Sequence, residues 1–355
     1  MSSKNPILEA LGLKGPLILS PLAGGPSTPE LIAAVSNAGG LGSLGLAYET
    51  PEQIHTIIQK TRTLTSKPIA VNLFVPSEDP ALTSEQINSA HDATKKYREE
   101  LGIPSPKVEP PYSINFDKQF EAMLQEKPAV FSFTFGLLDR SYINECKKNH
   151  IITCGTATTL EEGILAEERG VDWLVAQGIE AGGHRGIFSA KTEDSMIGLF
   201  PLVRFLATNL KIPVIAAGGI MDGAGIAAAL RLGAKAAQLG TAFLLCEEAG
   251  TSKPYRKALL DKGNLHTKTT RVFSGRIARG LENRFMKEME ERQGSILPFP
   301  AQNSFTRDIR RKSAELGMSD FLSLWAGQGV AQIRQMNAGE LVSVLFDELN
   351  AAMKE

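Results

Sequence analysis

The sequence predicts an α/β protein built as a (β/α)8 TIM barrel, with a smaller, mostly helical subdomain made by an insertion and the C-terminal tail. Three observations lead there. Short apolar runs alternate with amphipathic, helix-like segments about eight times between residues 16 and 240. These runs are apolar throughout, as in a parallel sheet covered by helices. Glycine and amide residues gather where the runs end, and strand C-termini are where a barrel builds its site. An open doubly wound sheet is the rival; eight evenly spaced units without a break favour the barrel.

The elements follow in order. "PLILS" (16–20) reads as the first strand and precedes a helix over residues 29–38. "LGSLG" (41–45) precedes a helix over 51–64. "PIAVNLF" (68–74), "AVFSFTF" (129–135), "IITCG" (151–155), "DWLVAQ" (172–177), "PVIAAG" (213–218) and "AAQLG" (236–240) continue the series. Two intervening helices carry their own end signals. "TLEEGILAEERG" opens on Thr159 as N-cap, with acidic residues in its first turn, and stops at Gly170. "DGAGIAAALRLG" has Asp222 as N-cap and Gly233 as its stop. Residues 75–112 fall outside the repeat: they are polar, hold one helix-like run near 83–101 and end Pro-rich. The tail is charged and mostly helical in pattern. The barrel is therefore expected over 1–74 and 113–250, with 75–112 and 251–355 as a helical substrate or lid subdomain covering its mouth.

Bulk composition excludes several classes of function. A chain of 355 residues accommodates a barrel and an appendage. The net charge of −1 gives no electrostatic reason for a nucleic-acid partner, and no Lys/Arg cluster marks a phosphate-backbone stripe. Cys146, Cys154 and Cys246 are far apart and form no C-x-x-C, so neither a metal site nor a disulfide framework is expected. The N-terminal "MSSKNPILEALGLKGPLILS" is broken by Glu9, Gly12, Lys14 and Gly15, unlike a signal peptide. No apolar run approaches the ~20 residues that cross a bilayer. The expectation is a cytoplasmic protein with no membrane partner; a homo-oligomer is left open.

Unusual residues sit at the strand ends. Gly24 and Gly25 follow the first strand, and Ala47-Tyr48 the second. Asn72 is polar within an apolar run; Thr134 and Gly136 follow the fourth strand, and Gly155-Thr156 the fifth. Gln177 opens "QGIEAGGHRG", Gly218-Gly219 follow the seventh strand, and Gln238 precedes Gly240-Thr241. Asn72, Gln177 and Gln238 together suit a neutral heterocycle, because one amide both donates and accepts. "AAGGIMDG" and "QLGTAF" follow the last two strands, where barrels often hold phosphate on backbone N–H groups.

These residues resemble a known family. "PLAGGPSTPELIAAVSNAGGLGSLG", "VNLF", "GTATTLEEGILAEERGVDWLVAQGIEAGGHRG" and "PVIAAGGIMDGAGIAAALRLGAKAAQLGTAFL" are similar to the nitronate monooxygenases, formerly 2-nitropropane dioxygenases, of bacterial class I type. "FSGRIARGLENRF" and "LWAGQG" in the tail also look familial. "EAGGH" is shared mainly with FMN barrels, including flavin-dependent enoyl-acyl-carrier-protein reductases and some NADH:quinone reductases. The resemblance implies non-covalent FMN. It implies that Asn72, Gln177, Gly182, Gly183 and Gln238-Leu239-Gly240-Thr241 bind the flavin and that the Ala23-Gly24-Gly25 turn lies against the isoalloxazine. It also implies that Gly218-Gly219 and Gly240-Thr241 hold the phosphate and that His184 is the catalytic histidine. The implied reaction is oxidation of alkyl nitronates, such as propionate 3-nitronate, with O2 to carbonyl compounds and nitrite.

An imidazole can serve that chemistry in two ways. As a cation or N–H donor it holds nitro oxygens; as a neutral base it removes the α-proton of a nitroalkane. His55, His91, His150 and His266 read as surface or local-structure residues. Glu180 reads as structural and Arg185 as a surface or helix-end residue. Arg276, Arg279 and Arg284 read as partners of acidic neighbours or as a means of drawing in an anion. Tyr112 and Trp325 are candidate pocket aromatics. The rival function is an FMN-dependent NAD(P)H reductase of enoyl thioesters or quinones.

Overall fold

A computed structural model describes residues 5–354, apart from 190, 193, 262 and 264. The first four residues of the N-terminal stretch lie outside the described residues. Eleven strands are found among the described ones: β1 (Leu17–Leu19), β2 (Gly42–Gly45), β3 (Ile69–Phe74), β4 (Val130–Thr134), β5 (Ile152–Ala157), β6 (Trp173–Gln177), β7 (Gly183–His184), β8 (Val214–Ala217), β9 (Ala236–Leu239), β10 (Thr267–Thr270) and β11 (Ala278–Leu281). Eight form one parallel sheet in the order β1-β9-β8-β6-β5-β4-β3-β2. The ring closes at Ile18↔Leu41, where Leu19 N–H donates to Leu41 O at 2.9 Å. This is the predicted TIM barrel.

The period of two along each strand sorts its side chains. Leu17 and Leu19 pack outward under the helices, while Ile18 joins an interior cluster with Ala70, Val130, Trp173, Val175, Ile215 and Ala236. Climbing the interior, Ala70 is followed by Asn72 and Phe74, Val130 by Ser132 and Thr134, Val175 by Gln177, and Ala236 by Gln238. All of these upper residues line the cavity at the mouth. The interior is therefore apolar at the base and polar at the C-terminal rim.

Helix ends follow the sequence signals. Thr159 Oγ1 accepts from Glu162 N, and Gly170 closes that helix at φ 93°. Asp222 Oδ1 accepts from Gly225 N at 2.8 Å. The insertion's helix, Ser84–Leu101, opens on a Thr83/Gln86 capping box. It packs on the tail: Ala93, Tyr97 and Leu101 share a core with Phe273, Phe285, Met289, Ile309 and Phe321. Buried Arg98 Nη1 reaches Asp308 Oδ2 at 2.6 Å.

Most of the tail's regular structure is helical, and two of its features were not indicated by the sequence. The tail supplies β10 and β11, which form a three-stranded antiparallel sheet with β7. Its closing helix, Ala338–Ala352, lies against the barrel's outer helices Pro29–Ala38 and Gly223–Arg231 instead of over the mouth, and Glu348 Oε2 accepts from Gly223 N at 2.9 Å. No helix among the described residues is long and apolar enough to cross a membrane.

Candidate active site

A cavity of about 550 Å³ opens at the C-terminal ends of the barrel strands. Ala23, Gly24, Asn72, Gln177, Gly182, Gly183, His184, Gly218, Gly219, Gln238, Gly240 and Thr241 all line it. Two residues expected there do not. The Leu239 side chain faces outward into the barrel wall, 1% exposed, because it alternates with inward-facing Gln238. Gly25 does not line it, and a Cβ there would lie 3.7 Å from Gly250 O.

The glycines around His184 have separable reasons. Gly183 sits at φ 77°, a conformation L side chains rarely adopt, although nothing lies near where its Cβ would be. A Cβ on Gly182 would lie 2.6 Å from the Ala326–Gly327 backbone, so this glycine permits close approach of the tail. The chain then runs as β7 beside β11, with His184 opposite Ala278. Gln177 pins the loop from below: its Nε2 donates to His184 O at 2.9 Å, and its Oε1 accepts from Gly186 N at 2.7 Å. The expected flavin contact Gln177 thus uses both ends of its amide to seat the histidine.

His184 Nε2 lies 2.7 Å from Ser274 Oγ. Its ring meets Phe135 edge-on at 5.6 Å and Trp325 at 5.4 Å between centroids. No partner is found for Nδ1 among the described residues. Burial, then the positive charges of Arg276 and Arg310, hold the imidazole down to about 3. It is neutral at physiological pH.

The other charged residues resolve by contact. Glu180 caps the helix Leu199–Asn209, accepting from Leu199 N at 2.9 Å, and does not line the cavity. Arg185 is 5% exposed, not a surface residue, and donates to the carbonyls of Gln177 and Ser195. Of the three tail arginines, only Arg284 has acidic partners, Glu100 and Glu288, each at 2.8 Å. Arg276 lies 4.2 Å over the Phe135 ring and donates to Ile187 O; Arg279 donates to Ile179 O at 3.0 Å. None of these three lines the cavity. Tyr112 is buried with Leu297 and Phe305 instead, whereas Trp325 does line it.

The sequence reading missed one wall and one charged edge. Tyr48, Phe74 and Phe135 form a contiguous aromatic wall ending at His184, with centroid spacings of 5.6, 4.5 and 5.6 Å. Phe135 holds φ 79° to take its place there. Arg307, Arg310 and Arg311, on the helix Arg307–Glu315, also line the cavity. Their only sequence signal was a charged helical pattern, which elsewhere marks a solvated face.

Several polar groups at the rim have no protein partner. Asn72 Nδ2 donates to Ser132 Oγ at 2.9 Å, leaving its carbonyl oxygen without one. The Gln238 side chain and the amides of Gly219, Gly240 and Thr241 also lack acceptors or donors among the described residues. Such groups next to a cavity call for a polar ligand.

Comparison with known proteins agrees with this layout. The family model described as nitronate monooxygenase matches residues 5–348. A probable nitronate monooxygenase of Staphylococcus aureus (strain MSSA476) is 38% identical over 355 residues, covering 100% of this chain and 99% of the relative. The structure of nitroalkane oxidase from Streptomyces ansochromogenes aligns with a TM-score of 0.92 at 37% identity, over 98% of this chain and 99% of that one. FabK from Thermotoga maritima aligns at 0.77 and 26% identity, over 99% and 98%. The matched span takes in the barrel, the histidine loop and the tail strands that seat it, so the chain belongs to the nitronate monooxygenase family and is an oxidoreductase of that family.

Proposed function

We propose that the protein is an FMN-dependent nitronate monooxygenase, oxidising alkyl nitronates such as propionate 3-nitronate with O2 to carbonyl compounds and nitrite. It would act in the cytoplasm on small molecules. The observation that carries this reading is a neutral histidine at the edge of a cavity that, among the described residues, has arginines but no carboxylate in its lining.

The residues present fit a flavin mononucleotide. The unpartnered Asn72 oxygen and Gln238 amide suit the edge of a heterocycle, and the free amides of Gly219, Gly240 and Thr241 suit a phosphate. Ala23 and Gly24 leave room for a flat ring. When bound, FMN supplies the electron acceptor and the centre that reacts with O2. The chain's own part is proton handling and positioning. If Ser274 Oγ donates to Arg276 O, which lies at 3.2 Å, His184 Nε2 would carry the proton it donates to Ser274, and Nδ1 would keep its lone pair. A nitroalkane would then give its α-proton to Nδ1, leaving the nitronate and an imidazolium. A nitronate arrives without that proton and needs no base. Phe74, Phe135 and Trp325 keep water from the reacting carbon.

The likeness to FabK over nearly the whole chain supports a second reading, a flavin-dependent NAD(P)H reductase of enoyl thioesters or quinones. The test is to extract the chromophore from purified protein, identify it, and assay nitrite formation from propionate 3-nitronate in air without nicotinamide. FMN and nitrite support the proposal. Absence of nitrite, with NAD(P)H consumed when a quinone or enoyl thioester is added, contradicts it.

A further inference from the structure

Three cations line the mouth, Arg307, Arg310 and Arg311, against no acidic side chain among the described residues. Two of them have other engagements. Arg311 is exposed, with Nε 3.9 Å from Glu315 Oε1. Arg307 is exposed and lies 5.7 Å over the Tyr48 ring. Arg310 is half-buried and has no carboxylate within ion-pair distance among the described residues, although the Asp308 charge acts on it from two residues away. Its Nη2 donates to Asn303 O at 2.7 Å and to Asn303 Oδ1 at 2.9 Å, and its Nε donates to Thr306 O at 3.4 Å. Its Nη1 donates to nothing among the described residues. Asp308, two residues along, is turned to Arg98 instead. Loss of hydration holds the Arg310 guanidinium down to about 10. A partly desolvated cation with no carboxylate in direct contact is costly unless something anionic completes it.

Its position adds a second argument. Tyr48 follows β2 and His184 follows β6, and these strands are four apart in a ring of eight, so the two loops face each other across the mouth. Asn303, the anchor of Arg310, lies beside the Tyr48 hydroxyl. The Arg310 charge nevertheless reaches His184. An anion between the two rims lies within the field of both residues.

We infer that Arg310 is the residue that holds the substrate's anionic oxygen, its Nη1 donating to the planar nitronate group, while His184 takes the α-proton only when the neutral nitroalkane is the substrate. The inference rests on the nitronate reading and deepens it by dividing between two residues the roles of anion holder and base. A guanidinium is planar and delocalised, and it matches a planar oxyanion better than an ammonium does. Asn303 fixes its orientation without neutralising it.

The test uses nitrate, a planar anion that is not turned over, titrated calorimetrically into the purified flavin-loaded protein and two variants. Arg310→Gln removes the charge. Asn303→Asp keeps the arginine but supplies the missing carboxylate, so it tests the charge without emptying the site. Both variants are expected to weaken nitrate binding about 10- to 100-fold, and to raise KM for nitronate more than for the neutral parent nitroalkane. Equal nitrate affinity in wild type and both variants, or no nitrate binding by wild type, would overturn the inference. Arg310-dependent nitrate binding in a protein that turns over no nitronate would sink the nitronate reading and leave the anion site standing. Normal nitronate turnover with KM and nitrate affinity unmoved by Arg310→Gln would do the reverse.

Discussion

The Ser274 hydroxyl, 2.7 Å from His184 Nε2, ties the catalytic candidate on β7 to the turn that precedes β11. The bond joins barrel to tail, and Ser274 is itself 1% exposed. Removing it frees the ring and the choice of tautomer. Ser274→Ala is expected to lower kcat on a neutral nitroalkane about fivefold, the worth of one ordinary hydrogen bond. Activity on the preformed nitronate, which needs no base, should change less. Steady-state kinetics on the two substrates checks this.

The histidine also sets a pH signature. An exposed histidine base would lose half its activity near pH 6.5. His184, held at about 3 by burial, Arg276 and Arg310, should keep its base form well below that. The kcat/KM for a nitroalkane is expected to show no histidine-like acid limb between about pH 8 and about pH 5. Stability carries the matching sign. Between 6.5 and 3 the unfolded chain binds a proton that the native state does not, so native stability falls as pH drops through that window. This one group contributes up to about 1.4 kcal/mol per pH unit. Denaturant titrations of wild type and His184→Asn at several pH values measure that slope, which should be shallower in the variant.

Phe135 pairs backbone strain with a contact. Its φ of 79° is costly for any residue with a Cβ, yet its ring meets Phe74, Phe299 and His184. Phe135→Ala loses the ring and keeps the strain, whereas Phe135→Gly loses both. The glycine variant is expected to be the more stable by about 1 kcal/mol, against the usual order of the two residues. Both should lose activity alike, because both remove the wall beside His184. Urea midpoints and kcat/KM values test the two halves separately.

The Arg98–Asp308 pair holds the insertion to the helix that carries Arg310. Arg98 is 2% exposed, so Asp308→Ala leaves a buried charge with only the Phe305 and Pro104 carbonyls. A loss of about 3 kcal/mol is expected, largely recovered when Arg98→Met is added. KM for the nitronate should rise in the single variant, since Arg310 is seated on that helix.

Much of this was legible in the sequence because barrels repeat a simple rule. Asn72, Gln177 and Gln238 stood out as polar residues at alternate positions of apolar strands, and all three line the mouth. His184 stood out by its glycines. The rest depended on tertiary pairing. "ARGL" at β11 and "GH" at β7 are too short to read as strands until each finds the other. Leu239 looked like a site residue beside Gln238, but the period of two sends it outward. Arg310 sits in a run, "RDIRR", whose pattern is that of a surface helix; only the cavity beneath it makes its charge conspicuous.

The central claim is that nitronate, not nicotinamide, delivers electrons to this site. The most direct measurement follows the flavin absorbance of the purified protein under anaerobic conditions while NADH, then NADPH, then propionate 3-nitronate is added. The account predicts no response to either nicotinamide and bleaching by the nitronate alone. Prompt bleaching by NADH or NADPH, with none by the nitronate, would contradict it and move the protein to the reductases.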